Sequence, residues 1–193
     1  VEAKKSAKIL GINFLENSGA LNLKDGHFHD KFAEIKKYLL SIIIDYNYVL
    51  SPMIEGGHQD HDTISSILIL LFEEINLKKH ILLYPCYRSL LNFRWIYRCG
   101  QNKNQFLDKQ ISYKVPKKFY PTFINLIFKA YISQLSSWIF LFPALFISRI
   151  NKSAYILINA SNIKFKEVEK MLPIHCLYQI RGRFYKNSWL KII

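Results

Sequence analysis

The sequence predicts an α/β fold: a largely parallel sheet flanked by helices. Three observations carry that expectation. Apolar runs of strand length, "INFL" at 12–15, "YNYVLSP" at 46–52 and "HILLYP" at 80–85, recur along the first half of the chain. Segments with apolar residues at helical spacing stand between them. Half of the 193 residues are apolar, enough for one domain with a real core. Strands alternating with amphipathic helices are the pattern of βαβ units.

Element by element, Glu2 to Leu10 reads as a helix stopped by Gly11, and "INFL" follows as a short strand. "NSGALNLKDGHFH" at 17–29 is a loop by its Gly, Asn and Asp content. Asp30 is placed to cap the next helix, in which Phe32, Ile35, Tyr38, Leu39 and Ile42 share a face and which ends near Asp45. The run 46–52, closed by Pro52, reads as a buried strand. From about Asp60 the pattern is helical again, with Ile64, Ile67, Leu68, Leu71 and Ile75 on one face and Glu73 and Glu74 on the other. "HILLYP" is a second buried strand.

The formal charge is +13 and the pI near 9.6, values that raise nucleic acid or an anionic membrane as partners. An excess of Ile, Asn, Lys, Phe and Tyr over Gly, Ala and Pro also produces such a charge when the coding sequence is rich in A and T. No basic helix with interleaved aromatics stands out, so no specific nucleic-acid partner is expected. Cys86, Cys99 and Cys176 are odd in number and widely spaced. That argues against a disulfide framework or a cysteine zinc site and favours a reducing, cytoplasmic compartment. The opening "VEAKKSAKIL" is charged and unlike a signal peptide. The chain opens on Val1 rather than Met, which suggests a missing natural start. The apolar stretch 124–150 is broken by Lys129, Gln134, Ser136, Ser137 and Pro143. It reads as a buried or interfacial helical hairpin rather than a membrane span, and it allows a peripheral position at a membrane face.

The densest chemistry lies at 51–66, "SPMIEGGHQDHDTISS", directly after the strand at 46–52. In open α/β sheets the loops at the carboxyl ends of strands gather into a ligand-binding crevice. Gly56 and Gly57 let the backbone turn sharply and come close to a ligand. His58 and His61, three apart at a helix entrance, can face the same side with Asp60 beside them. Two imidazoles and a carboxylate suit metal binding, proton transfer or both. The plainer alternative is that Asp60, Asp62 or Thr63 caps the helix and the histidines satisfy nearby carbonyls. Two histidines alone do not make a zinc site, which takes at least three protein ligands.

"EGGHQDHD" at 55–62 closely resembles the second signature of the PIG-L, or LmbE-like, family of zinc-dependent de-N-acetylases. "EAKKSAKILGI" looks like that family's helix leading into a second strand, "KDG" at 24–26 like the loop after it, and "KAYISQLSSWIFLFP" at 129–143 like a weaker K-x-x-Y-x-S-Q segment. The likeness covers most of the first 150 residues and implies a Rossmann-like sheet in one domain spanning 1–193. It implies removal of the acetyl group from an N-acetylglucosamine-type amino sugar in a glycolipid or polysaccharide precursor, with Zn2+ as cofactor. By the same resemblance His61 is a metal ligand, and His58 stabilises the oxyanion and protonates the departing amine. Asp60 accepts a hydrogen bond from the His58 ring.

One departure is large. The family's first signature, H-P-D-D, which supplies two further ligands and the general base, is absent from residues 1–193. The first strand and its metal-binding loop are therefore expected to be missing, as in a truncated or decayed copy. "GHFHD" at 26–30 offers His27, His29 and Asp30 as substitute ligands, although Asp30 also fits a helix cap and the family varies at this loop. His80 and His175 read as structural. The alternative to an enzyme is a non-catalytic remnant that binds a partner or a membrane through its basic surface and the 124–150 segment.

Overall fold

The computed structural model describes residues 2–15, 21–76, 80–84, 110–114, 116–135 and 154–168. Cys86, Cys99, Cys176, His175 and residues 136–150 of the apolar stretch lie outside them. The chain divides into two compact units: one holds the helix Glu2–Leu10 and the helical segments of 116–135, the other the strands Tyr48–Pro52 and His80–Tyr84 with their helices.

In the first unit, α1 (Glu2–Leu10) ends at Gly11, whose φ of +67° is the left-handed value that glycine takes without strain. Gly11 N–H donates to the Lys8 carbonyl at 3.3 Å and Ile12 N–H to the Ala7 carbonyl at 3.0 Å, which satisfies the helix's last carbonyls. The expected strand at 12–15 does not form. Ile12, Phe14 and Leu15 are exposed and pair with no described strand, so the run has the composition of a strand without the ladder. The helical segment after Pro116 runs through a short helix, Tyr120–Asn125, a π-helical turn, Leu126–Ala130, and a 3-10 turn, Ile132–Gln134. Ala7, Ile127 and Ala130 are buried here. Ser6 Oγ lies 3.0 Å from the Tyr131 hydroxyl. The backbone N–H and hydroxyl of Ser133 donate to the Glu2 carboxylate at 2.9 and 2.6 Å and hold its pKa below the usual value. No helix among the described residues is long and apolar enough to cross a membrane.

The second unit is a layered α/β arrangement. Strands β1 (Tyr48–Pro52) and β2 (His80–Tyr84) pair in parallel, with Tyr48 opposite His80 and Pro52 opposite Tyr84. Helices α2 (Phe32–Ile43) and α3 (Gln59–Glu74) pack on each other, and α3 contacts both strands. With β3 (Gln110–Lys114) and β4 (Ala154–Asn159) the described strands lie in the order β1-β2-β4-β3. Strands β2 and β4 run antiparallel, Leu82 opposite Asn159, so the sheet is mixed rather than parallel throughout. The core is aliphatic: Ile35, Ile54, Ile67, Leu68, Ile69, Leu71, Ile81 and Leu83 are all nearly inaccessible.

Three local expectations change. Strand β1 is not buried: it stands at the edge of the described sheet, with Tyr48 64 % and Leu50 61 % exposed, while Ser51 on its other face is buried. Asp30 does not cap α2: a 3-10 turn, Phe28–Lys31, leads into that helix, and the capping position falls on Lys31 without a side-chain bond. Ile75 is exposed because α3 ends at Glu74, so the buried stripe stops at Leu71 and Phe72.

Candidate functional site

The polar stretch sits where β1 hands over to α3. After Pro52 the chain stays buried through Met53 and Ile54, turns at Gly56 with φ +68°, and enters α3 at Gln59. The cap is His58 itself: its Nδ1 accepts from the backbone N–H of Asp60 at 3.3 Å. A neutral ring that accepts at Nδ1 carries its proton at Nε2. That nitrogen lies 3.7 Å from a carboxylate oxygen of Asp25.

The first turns of α3 are buried and polar, which helical spacing of apolar residues alone did not reveal. Asp60 is only 4 % exposed, and its carboxylate accepts from Gly26 N–H at 2.6 Å and Phe28 N–H at 3.1 Å. Gln59 completes the clasp by donating from Nε2 to the Gly26 carbonyl at 2.6 Å. Gly26 has φ +79°, a backbone conformation strained for any other residue, and a Cβ there would stand 3.2 Å from that same Nε2 and crowd it. Asp62, fully buried, performs the matching task on the other loop: its two oxygens accept from Glu55 N–H and Gly56 N–H, each at 3.0 Å. Thr63 and Ser66 donate back to the carbonyls of Gln59 and Asp62, and Ser65 bonds Ser51 and the Pro52 carbonyl. Two buried carboxylates near a helix N-terminus are favoured by the helix dipole and by their backbone donors.

His58 and His61 do face one another, with ring centroids 5.0 Å apart. Burial foremost, and then His58, hold the His61 pKa below its ordinary 6.5, while Asp60 and Asp25 pull it upward. The hydrogen bond between Asp60 and the His58 ring runs from the Asp60 backbone, because its carboxylate is turned to the 24–28 loop. Asp25, from the "KDG" loop, joins this cluster, and nothing in its spacing from the motif marked it. Ligand atoms of Asp25, His58 and Asp60 all lie within 4.8 Å of one another, close enough to hold a metal ion.

The second histidine group takes a different form. His27 Nδ1 and His29 Nε2 each lie 3.1 Å from an oxygen of Asp30, whose side chain is 58 % exposed. His80 stacks on Tyr48, centroids 5.0 Å apart, on the open side of the β1–β2 pair.

Comparison of the chain with models of known protein families, with curated proteins and with solved structures gives no match.

Proposed function

We propose that this chain carries one half of the active centre of a zinc-dependent de-N-acetylase with a Rossmann-like sheet, acting on an N-acetylglucosamine-type amino sugar. One observation supports the reading above the others: the residues of the G-H-x-D-H motif sit at the carboxyl end of β1, with His58 presenting a protonated Nε2 toward a carboxylate and His61 facing it. In this reading water adds to the acetamide carbonyl carbon and gives a proton to the general base assigned to H-P-D-D. The C–N bond breaks, acetate leaves, and the nitrogen takes a proton from Nε2 of the His58 ring, which at that step carries a second proton at Nδ1 and returns to neutral. His61, kept neutral by its buried setting, offers a ring lone pair to the metal. Asp60 holds the 24–28 loop against the motif, and Asp62 holds the glycine turn. Zinc supplies Lewis acidity toward the carbonyl and lowers the pKa of water. The His61 imidazole suits such a divalent ion, and the partner ligands assigned to H-P-D-D are not in residues 1–193.

The test compares this chain with a version extended upstream of Val1 by its own gene sequence, reading zinc content and acetate release from an N-acetylglucosaminyl glycoside. The extended protein should bind zinc and release acetate, and His61→Ala should lose both. An extended protein that does neither ends the reading.

A second reading, membrane association without catalysis, has its own observation in the first unit. Ile124, Phe128 and Ile132, at four-residue spacing, are each about half exposed, with Lys118 and Lys129 also exposed nearby. Sedimentation with vesicles containing anionic lipid tests it: binding that falls on Phe128→Asp supports the reading, and protein left in the supernatant at low salt removes it.

A further inference from the structure

We propose that Asp25, His58 and Asp60 form a divalent-cation site complete within this chain, and that a cation held there inhibits the hydrolysis described above. The inhibitory half rests on that functional reading; the site itself does not.

The geometry favours a cation over a direct bond. The 3.7 Å between His58 Nε2 and Asp25 Oδ1 is too long for a hydrogen bond. It is close to the edge of about 3.3–3.5 Å that separates two ligands of an ion with bonds of about 2.0–2.1 Å. The third ligand atom, from Asp60, lies within 4.8 Å of the other two. These three residues come from two segments far apart in sequence, and among the described residues they are the one group of this kind that meets.

Two of the three ligands are already set in place. Asp60 is buried with its carboxylate fixed by Gly26 N–H and Phe28 N–H, one bond to each oxygen. A carboxylate has about four acceptor positions, so both oxygens keep capacity for an ion. His58 is fixed as the first residue before α3. Asp25 is 94 % exposed, but the neighbouring Gly26 is tied to Asp60 and Gln59, so the loop that carries Asp25 is held beside His58. Bringing Asp25 to ligand spacing from His58 takes a shift of a few tenths of an ångström at an exposed side chain.

The donor set names the class of ion. One imidazole nitrogen with two carboxylate oxygens, open to water on the Asp25 side, suits Zn2+, Co2+ or Mn2+. It is poor in oxygen for Ca2+, which takes six to eight such ligands. His61 is outside this set, so the site is distinct from the ligand role that the motif gives His61. Ligation uses the Nε2 lone pair, so the neutral ring's proton moves to Nδ1 and the bond from Asp60 N–H to Nδ1 is given up; a ring bound to a cation in this way has no proton at Nε2 to give. Filling the site therefore removes the proton donor from the hydrolysis.

The experiment uses the full chain freed of metal and titrated with Co2+, followed by visible absorption and by calorimetry. One Co2+ per chain is expected. Asp25→Ala and His58→Ala should each weaken it at least tenfold, since loss of an outer-shell partner alone costs about 10–100-fold. His61→Ala should leave the affinity within about threefold. Asp25 is exposed, so its variant tests the site without threatening the fold. No Co2+ binding, or binding indifferent to Asp25→Ala, overturns the site; so does binding lost through His61→Ala alone. In the extended protein, excess Zn2+ should slow acetate release, and Asp25→Ala should raise the inhibitory concentration at least tenfold relative to that variant's own uninhibited rate. Inhibition unchanged by Asp25→Ala overturns the inhibitory role. Co2+ binding through Asp25 and His58 without any acetate release leaves the site standing and ends the functional reading instead.

Discussion

The stretches G-H-F-H-D at 26–30 and G-H-Q-D-H at 57–61 share a glycine, two histidines and an aspartate in almost the same order, and the fold treats them in opposite ways. In the first, the aspartate is 58 % exposed and its partners are two imidazoles at 3.1 Å. In the second, the aspartate is 4 % exposed and its partners are two backbone N–H groups of the first stretch. The buried cluster therefore holds the exposed one in place. A carboxylate becomes an anchor when fixed backbone donors surround it away from water, and it stays a weak surface partner when its neighbours are solvated side chains. Residue type and spacing do not separate these cases; burial does.

Breaking the buried side should cost most at Asp62. Asp62→Ala leaves the N–H groups of Glu55 and Gly56 without their acceptor, and urea denaturation should show a loss of about 2–5 kcal/mol. A loss under about 1 kcal/mol contradicts the anchoring role. Asp60→Ala, whose two partners are nearer to solvent, should cost about 1–3 kcal/mol and speed hydrogen exchange at Gly26 and Phe28 while sparing Glu55 and Gly56.

A third variant sharpens the contrast through pH. The His61 pKa lies below 6.5 in the fold, chiefly through burial, and returns to its ordinary value on unfolding. The unfolded chain then binds more protons as the pH falls, so the stability contributed by neutral His61 is full above about pH 6.5 and is lost below it toward the folded pKa. In metal-free buffer His61→Gln should lose stability less steeply on acidification than the parent chain, and an equally steep curve counts against the buried neutral ring. The smallest effect belongs to the exposed cluster: Asp30→Ala should change stability by less than about 1 kcal/mol.

Much of this arrangement was legible in the residues because apolar spacing reports burial directly. It marks both helices of the second unit; short apolar runs mark the strands at 48–52 and 80–84, the first of them without its expected burial, and a glycine marks the helix end at Gly11. Where the reading departed, the cause was a partner far away in sequence. Ile12 to Leu15 have strand composition and pair with no described strand; Tyr48 and Leu50 are apolar and exposed. Asp30 looked like a cap and instead sits between two histidines, while the cap of α3 is a histidine, a residue outside the usual capping set. Gln59 and Asp62 read as the polar face of a helix start, yet both are buried because backbone loops, not water, satisfy them. Asp25 could be found only when folding brought its loop to His58.

Under the proposed function the buried cluster, not the exposed one, carries the hydrolytic chemistry. The most direct measurement is acetate release from an N-acetylglucosaminyl glycoside by the extended protein with zinc, with His61→Ala set beside the His27→Ala/His29→Ala double variant. A loss of at least about 100-fold in the first and of no more than about twofold in the second is the predicted result, the first figure being on the scale of removing a general acid–base or outer-shell group. Equal losses in the two, or a His61→Ala protein as active as the parent, would contradict the account.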